Sequence, residues 1–216
     1  MTFAVVATLV LVTLGYFPAR LLTGTKVAAG LVSPLVTGLV VTVLSMVCVL
    51  LGLSMIIAVI GAVAVAVGSA VVLFRHAATT GGRGPGDSLM VLLIPAGGLA
   101  AFATVRRAPV AWDARSIWWF HAKWFTQGGG AVADAMRNPA FSFSHPDYPP
   151  FAPATNAAAW LVDGTQSLKH AQIVTALLTL SAIATLGYAI WRLFADRLGL
   201  WLATGVGAVS YTHLTL

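Results

Sequence analysis

The sequence contains few charged residues and no glutamate. Only 8% of its 216 residues are charged, and all six acidic residues are aspartates. About a quarter of the residues in a typical soluble domain are charged, so this deficit excludes an ordinary soluble fold. With 59% hydrophobic residues and a mean hydropathy of +0.91, the composition predicts an integral membrane protein.

Cysteine and clustered basic charge are also scarce. Cys48 is the one cysteine, so the sequence excludes a disulfide framework and does not indicate a redox compartment. The net charge is +6, but the basic residues are scattered between apolar blocks and form no run. This pattern excludes a nucleic-acid-binding stripe, and we interpret the basic residues as topology signals.

Long apolar runs indicate where the chain crosses the membrane. A membrane-spanning helix needs roughly 20 apolar residues. We therefore predict an all-α, polytopic transmembrane helical bundle with about six spans. The spans cover about 2–17 or 2–22, two helices within 31–74 hinged near 51–54, then 88–105, 173–194 and a last span from 198. Pro18 and Arg20 are expected to end the first span.

These spans divide the chain into three regions: four helices in 1–105, a long loop in 106–170 with short interfacial helices, and two further helices in 171–216. Basic residues concentrate on the cytoplasmic side of membrane proteins. Arg20 and Lys26 follow the first span, so we expect the N-terminus and the long loop outside a plasma membrane.

Two expectations concern the ends of the chain. The first span lacks a basic flank and a cleavage site, so we expect a retained helix rather than a signal peptide. The last span stops abruptly without a polar tail, so we expect an N-terminal fragment of a longer protein.

The long loop concentrates ionisable and aromatic side chains. Four of the six aspartates and five of the seven tryptophans lie between 106 and 169. Apolar residues at helical spacing predict an interfacial helix from about 113 to 127, with Asp113 as its N-cap and three glycines after it. A further short helix is predicted for 131–137, before an Asn-Pro pair.

A second motif, His145-Pro-Asp-Tyr-Pro-Pro150, follows in the same loop. Prolines favour extended geometry in the residue before them, so His145 and Asp147 are expected to project to the same side. Each candidate also has an ordinary interpretation. Asp113 could be only a cap, His145 and Asp147 turn residues, and His121 and the tryptophans interfacial anchors.

Together, the Trp112-Asp113 pair, the aromatic helix and the His-Pro-Asp-Tyr-Pro-Pro element resemble the GT-C class of membrane glycosyltransferases, in particular the family 39 type. These enzymes transfer a sugar from a polyprenyl phosphate. The resemblance differs in two respects: four spans precede the loop where the family usually has one, and the family's Asp-Glu pair is Asp113-Ala114 here.

This resemblance implies a site and its ligands. It implies that Asp113 is the catalytic residue and that the substrate is bound by Arg115, Lys123, Arg137, His145, Asp147 and Tyr148. A divalent metal ion is a candidate cofactor, with Asp113, His145 and Asp147 as candidate ligands. The expected partners are a polyprenyl-phosphate-linked sugar and the lipid bilayer, and no nucleic acid.

Three other classes stay open: a transporter or channel, a non-catalytic assembly protein, and a polymerase or ligase of lipid-linked glycans. Transporters place ionisable residues within their spans, whereas the spans here are almost free of them, which disfavours the first class.

Overall fold

The computed structural model describes residues 9–76, apart from residue 12, and residues 112–194. This part of the chain is helical and contains no strand. The helices are α1 (Tyr16–Thr23), α2 (Lys26–Leu51), α3 (Ile56–His76), α4 (Trp119–Gln127), α5 (Gly129–Arg137), α6 (Phe151–Asp163) and α7 (Leu168–Phe194). A π-helical turn, Ala114–Trp118, precedes α4, and a 3-10 turn, Pro139–Ser144, follows α5. The spans predicted at 88–105 and from 198 lie outside the described residues.

Three of the described helices are long and apolar enough to cross a membrane: Lys26–Leu51, Ile56–Arg75 and Leu168–Ile190. The outer side of α2 carries an exposed apolar stripe at helical spacing, formed by Leu39, Val43, Val47 and Leu50. The predictions of an all-α fold and of membrane-spanning helices are confirmed for these three.

Helices α2 and α3 form the predicted hairpin, with a turn at the expected hinge. Helix α2 ends at Leu51 and α3 begins at Ile56. Gly52 adopts a left-handed conformation with φ of 65°, and its N–H bonds to the carbonyls of Cys48 and Val49. A left-handed glycine is a common helix terminator because it lacks the Cβ that would clash there.

The first predicted span is broken at Gly15 rather than ended at Pro18. Helical structure from Leu9 is interrupted at Leu14 and Gly15, and α1 then begins at Tyr16. The N–H of Gly15 is satisfied by Thr37 Oγ1 of α2 at 2.7 Å. Pro18 lies within the first turn of α1, where no intrahelical N–H is needed, so the helix does not end there. Helix α1 continues to Thr23, one residue beyond the longer of the two predicted ends.

Helix α6 is the part of the predicted loop that does not lie at the surface. Its residues from Pro153 to Trp160 are all buried, and it packs against α2, α4 and α7. At 13 residues it is about 20 Å long, too short to cross a bilayer. Phe151, at its start, packs on Gly38 in the middle of α2.

Candidate functional site

Two glycines attach the site-bearing segment to the α2–α3 turn. The N–H of Gly129 donates to the carbonyl of Leu53 at 2.8 Å. Gly128 has φ of 112° and ψ of 169°, a conformation essentially restricted to glycine. A Cβ on Gly129 would overlap the carbonyl of Cys48. The predicted glycine break after α4 is therefore confirmed, and it is also the point where the loop docks.

The helical segment from Trp112 to Gln127 carries the first motif. Asp113 is exposed, with helical φ and ψ of −58° and −42°, and its side chain makes no capping hydrogen bond. An N-cap residue normally has extended dihedrals, which direct its side chain back to the first N–H groups. The N-cap prediction for Asp113 was wrong, and its carboxylate makes no hydrogen bond to a described residue.

An open cleft of about 430 Å³ runs along one side of this segment. It is lined by Trp112, Arg115, Ser116, Trp119, Phe120, Lys123, Phe143 and Leu168. Arg115 and Lys123, two of the predicted substrate-binding residues, are thus brought to one cavity, and both are exposed. A pair of cationic side chains within aromatic walls suits an anionic group attached to an apolar or ring-shaped body.

Aromatic packing brings the 3-10 turn onto α4 and completes the cleft. The ring of Phe120 lies 5.1 Å from that of Trp124, 5.6 Å from Phe141 and 5.8 Å from Phe143. Asn138 begins the turn by accepting the N–H of Ala140 at 2.9 Å. The start of the second motif is therefore held against the helix that carries the first.

His121 connects α4 to the residue before the second motif. Its Nε2 lies 3.0 Å from Ser144 Oγ, and Ser144 Oγ lies 2.8 Å from the carbonyl of Phe141. A hydroxyl has one proton, which Ser144 donates to Phe141, so His121 Nε2 must be the donor to Ser144. When neutral, His121 therefore carries its proton on Nε2.

The environment of His121 keeps it neutral. Burial lowers the pKa of His121 below its usual value, while the hydrogen bond to Ser144 and the negative charge of Asp147 oppose this effect. The charge of His145 lowers the pKa further. His121 is therefore an uncharged structural donor at neutral pH.

The second motif forms a turn rather than the predicted extended strand. His145 is left-handed with φ of 53°, and its carbonyl accepts the N–H of Tyr148 at 3.0 Å. The chain changes direction here because the 3-10 turn ends at His145, whose N–H donates to the carbonyl of Ser142 at 3.1 Å. The Tyr148 ring lies 4.8 Å from that of His145 and 5.7 Å from that of Trp118.

Several sequence-based assignments receive no support from this arrangement. The residues that line the cleft do not include Asp113, His145, Asp147 or Tyr148. Arg137 lies at the exposed end of α5 and does not line the cleft. In residues 9–76 and 112–194, no three His, Cys, Asp or Glu side chains lie together as a metal site. The candidate ligands Asp113, His145 and Asp147 are therefore not assembled into one donor set.

The sequence did not point to two residues of this region. Phe143 lines the cleft, and Ser144 contacts His121. The alternation Phe141-Ser-Phe-Ser144 was not a usable signal, because alternation indicates a strand whereas this segment forms a 3-10 turn.

A buried acid and histidine at the α6–α7 junction were also missed. One carboxylate oxygen of Asp163 binds His170 Nδ1. The other accepts the backbone N–H of Thr165 at 2.7 Å. The side chain of Asp163 is 0% exposed and that of His170 is 7% exposed. Trp160 Nε1 donates to the carbonyl of Ser167 at 2.9 Å across the same junction. This arrangement holds α6 against α7.

Comparison with known proteins adds no assignment, because no family model, no curated protein and no solved structure matches this chain.

Proposed function

We propose that this protein is a membrane glycosyltransferase of GT-C type that takes a sugar from a polyprenyl phosphate. The observation that supports the proposal best is the cleft, in which Arg115 and Lys123 project between aromatic rings beside helices long enough to cross a membrane. A polyprenyl phosphate has the same combination of features, since it joins an anionic group to an apolar chain that stays in the bilayer.

We also propose a bundle of six spans with the site facing outward, and the packing of the segment supports the second point. The cleft-bearing segment contacts the α2–α3 turn through Gly129 and Leu53. Lys26 and Arg75 lie at the opposite end of this hairpin. The bias of basic residues toward the cytoplasm then assigns that end to the inside of the plasma membrane and the cleft to the outside.

The proposed chemistry assigns one role to each side chain. Asp113 accepts the proton of the acceptor hydroxyl as that oxygen forms the new bond to the anomeric carbon of the sugar. The bond from this carbon to the phosphate oxygen breaks, and Arg115 and Lys123 stabilise the departing polyprenyl phosphate. The described residues assemble no metal-binding set, so the proposal assigns no step to a metal ion.

Binding of the carrier tests the role of the cleft. The full chain in phosphatidylcholine nanodiscs is titrated with undecaprenyl phosphate, and binding is followed by quenching of tryptophan fluorescence, because Trp112 and Trp119 line the cleft. We expect Arg115→Gln and Lys123→Gln to weaken binding about tenfold each, the loss of one charge-assisted contact. Equal affinity in the wild type and both variants would exclude the cleft as the phosphate site.

Matched controls come from the other end of the hairpin. Lys26 and Arg75 are exposed cations, about 39 Å and about 30 Å of helix away from the α2–α3 turn. Lys26→Gln and Arg75→Gln remove the same charge as the cleft variants and should bind undecaprenyl phosphate as the wild type does.

Turnover tests the role of Asp113 and distinguishes the other classes. Membranes containing the full chain receive a set of radiolabelled polyprenyl-phosphate-linked sugars, and loss of label from the lipid fraction is measured. We expect Asp113→Asn to lower transfer at least about 100-fold while insertion in the membrane is unchanged. Unchanged transfer would refute the role of Asp113. A carrier that is bound and moved but never consumed would indicate a transporter instead.

A further inference from the structure

The second motif contacts a part of the helical segment carrying the first motif that does not line the cleft. Trp112, Arg115, Trp119 and Lys123 line the cleft at spacings of three or four residues, so they share one side. His121 lies two residues from Trp119 and from Lys123, a rotation of about 200°. It faces Ser144, the residue next to the second motif, and is not part of the cleft lining.

The two sides also differ in charge. The cleft side carries the cations Arg115 and Lys123. The second motif, residues 145–150, contains the carboxylate of Asp147 and no lysine or arginine. A phosphate would be repelled by Asp147 and would find neither of the cations that the cleft offers, so the second motif suits the anionic part of a donor less well than the cleft does.

The second motif nevertheless presents groups that can bind a ligand. Tyr148 and His145 are exposed, and their rings are nearly parallel, with an interplanar angle of 14°. Trp118 continues the row beyond Tyr148. The side chains of His145, Asp147 and Tyr148 make no hydrogen bond to a described residue, so their polar atoms are available. The contact between His121 and Ser144 and the prolines on both sides hold this surface in place.

We propose that Trp118, His145, Asp147 and Tyr148 form a second subsite, separate from the cationic cleft, that binds a neutral saccharide. The carboxylate of Asp147 accepts hydrogen bonds from sugar hydroxyls, the phenol and imidazole exchange hydrogen bonds with others, and the ring surfaces that the stack leaves exposed contact the apolar C–H surface of the sugar. In a glycosyltransferase such a ligand is a saccharide unit of the acceptor other than the one that carries the reacting hydroxyl, so this assignment rests on the proposed function.

The arrangement of the rings favours a saccharide over an organic cation. Cages for quaternary ammonium groups direct several ring faces at one point. Here the rings of His145, Tyr148 and Trp118 lie in a row and partly cover one another, so their faces do not converge. A row with hydrogen-bonding groups along its edge suits an extended polyhydroxyl ligand.

The test is a crossed comparison of two ligands and two sets of variants. The full chain in nanodiscs is examined with methyl glycosides of mannose, glucose, galactose and arabinose by saturation-transfer NMR, and with undecaprenyl phosphate by tryptophan fluorescence. We expect at least one glycoside to bind. Asp147→Asn and Tyr148→Ala should weaken that binding at least fivefold and leave undecaprenyl phosphate binding unchanged.

The cleft variants should show the reverse pattern. Arg115→Gln and Lys123→Gln should weaken undecaprenyl phosphate binding and retain glycoside binding. Asp134→Asn is the matched control for Asp147→Asn, because Asp134 is an exposed aspartate on α5. It should bind both ligands as the wild type does.

The outcomes separate this proposal from the proposed function. If no glycoside binds, or if choline binds in place of glycosides, the saccharide subsite is refuted while carrier binding still supports a glycosyltransferase. If both sets of variants weaken the same ligand, the two motifs form one site and the proposal fails. If glycosides bind as expected but no carrier binds or is consumed, the subsite stands as a saccharide site and the transferase proposal fails.

Discussion

The α2–α3 hairpin and helix α6 are both apolar, but they are buried in different ways. In the most apolar 18-residue stretch of α2 only 33% of the sequence is buried, and in that of α3 only 22%. Helix α6, in contrast, is buried without a break from Pro153 to Trp160. The hairpin directs large side chains outward, as a lipid-facing helix does. Helix α6 presents mainly alanines, which allow helices to approach closely. Substitutions should therefore be tolerated on the outside of the hairpin and not where the loop meets it.

The largest effect is expected at Gly129, where the loop docks on the hairpin. In Gly129→Val the new side chain would overlap the backbone of Cys48, so we expect at least about 3 kcal/mol of destabilisation. Gly130→Val is the matched control, since a Cβ there meets no atom within 4 Å. Thermal unfolding in detergent measures both, and equal shifts would show that the docking contact is not needed.

The next largest effect is expected at the α6–α7 junction. Asp163→Ala leaves His170 and the N–H of Thr165 without their buried acceptor, so we expect a loss of about 3 kcal/mol. Asp134→Ala removes an exposed aspartate and should change stability by less than about 0.5 kcal/mol. An Asp163 variant that unfolds at the same temperature as the Asp134 variant would contradict the proposed clamp.

A smaller effect is expected where α6 crosses α2. A Cβ on Gly38 would lie 2.7 Å from the ring of Phe151, so Gly38→Ala should cost about 1–3 kcal/mol. Gly30→Ala lies in the same helix, and its new Cβ would have no atom within 4 Å. This substitution should be neutral or stabilising by up to about 1 kcal/mol. Adding Phe151→Leu should recover part of the loss in Gly38→Ala, and strictly additive costs would exclude this contact as the cause.

The smallest effect is expected in the pH dependence of stability. Burial lowers the pKa of His121 in the folded state, so the unfolded chain binds more protons as the pH falls below about 6.5. Stability should therefore be full above that pH and decrease toward pH 5, by at most about 1.4 kcal/mol per unit of pKa difference. His121→Gln should lose this dependence, and His145→Gln, which removes only the smallest contribution to the pKa of His121, should keep most of it. Parallel pH profiles of the wild type and His121→Gln would contradict the assignment.

Much of the local structure was predictable, since its causes lie within a few residues. The hairpin turn near Leu51, the helix before Gly128 and the helix ending near Arg137 were expected from apolar runs and glycines, and all three are confirmed. The errors arose where a neighbouring element decides the conformation. The break at Gly15 depends on Thr37 of α2, more than twenty residues away.

Only part of the cleft lining matches the residues that the sequence suggested, and the arrangement was not predictable. The cleft contains Arg115 and Lys123, as expected for one substrate region. His145, Asp147 and Tyr148 were assigned to the same region but do not line the cleft. Which side of a helix a distant turn contacts depends on the packing of Phe141 and Phe143 on Phe120, and no sequence spacing encodes this.

The sequence by itself determined that the chain forms apolar helices. Its long apolar runs with few charges are costly to expose to water, and within a membrane a helix satisfies its backbone hydrogen bonds inside one segment. It also determined that the ionisable groups are concentrated in one loop. Only the tertiary structure decided that part of this loop is buried as α6, and that its second motif packs away from the cleft. Such choices depend on contacts between residues far apart in the chain, where shape and hydrogen bonding, rather than hydrophobicity, select the partner.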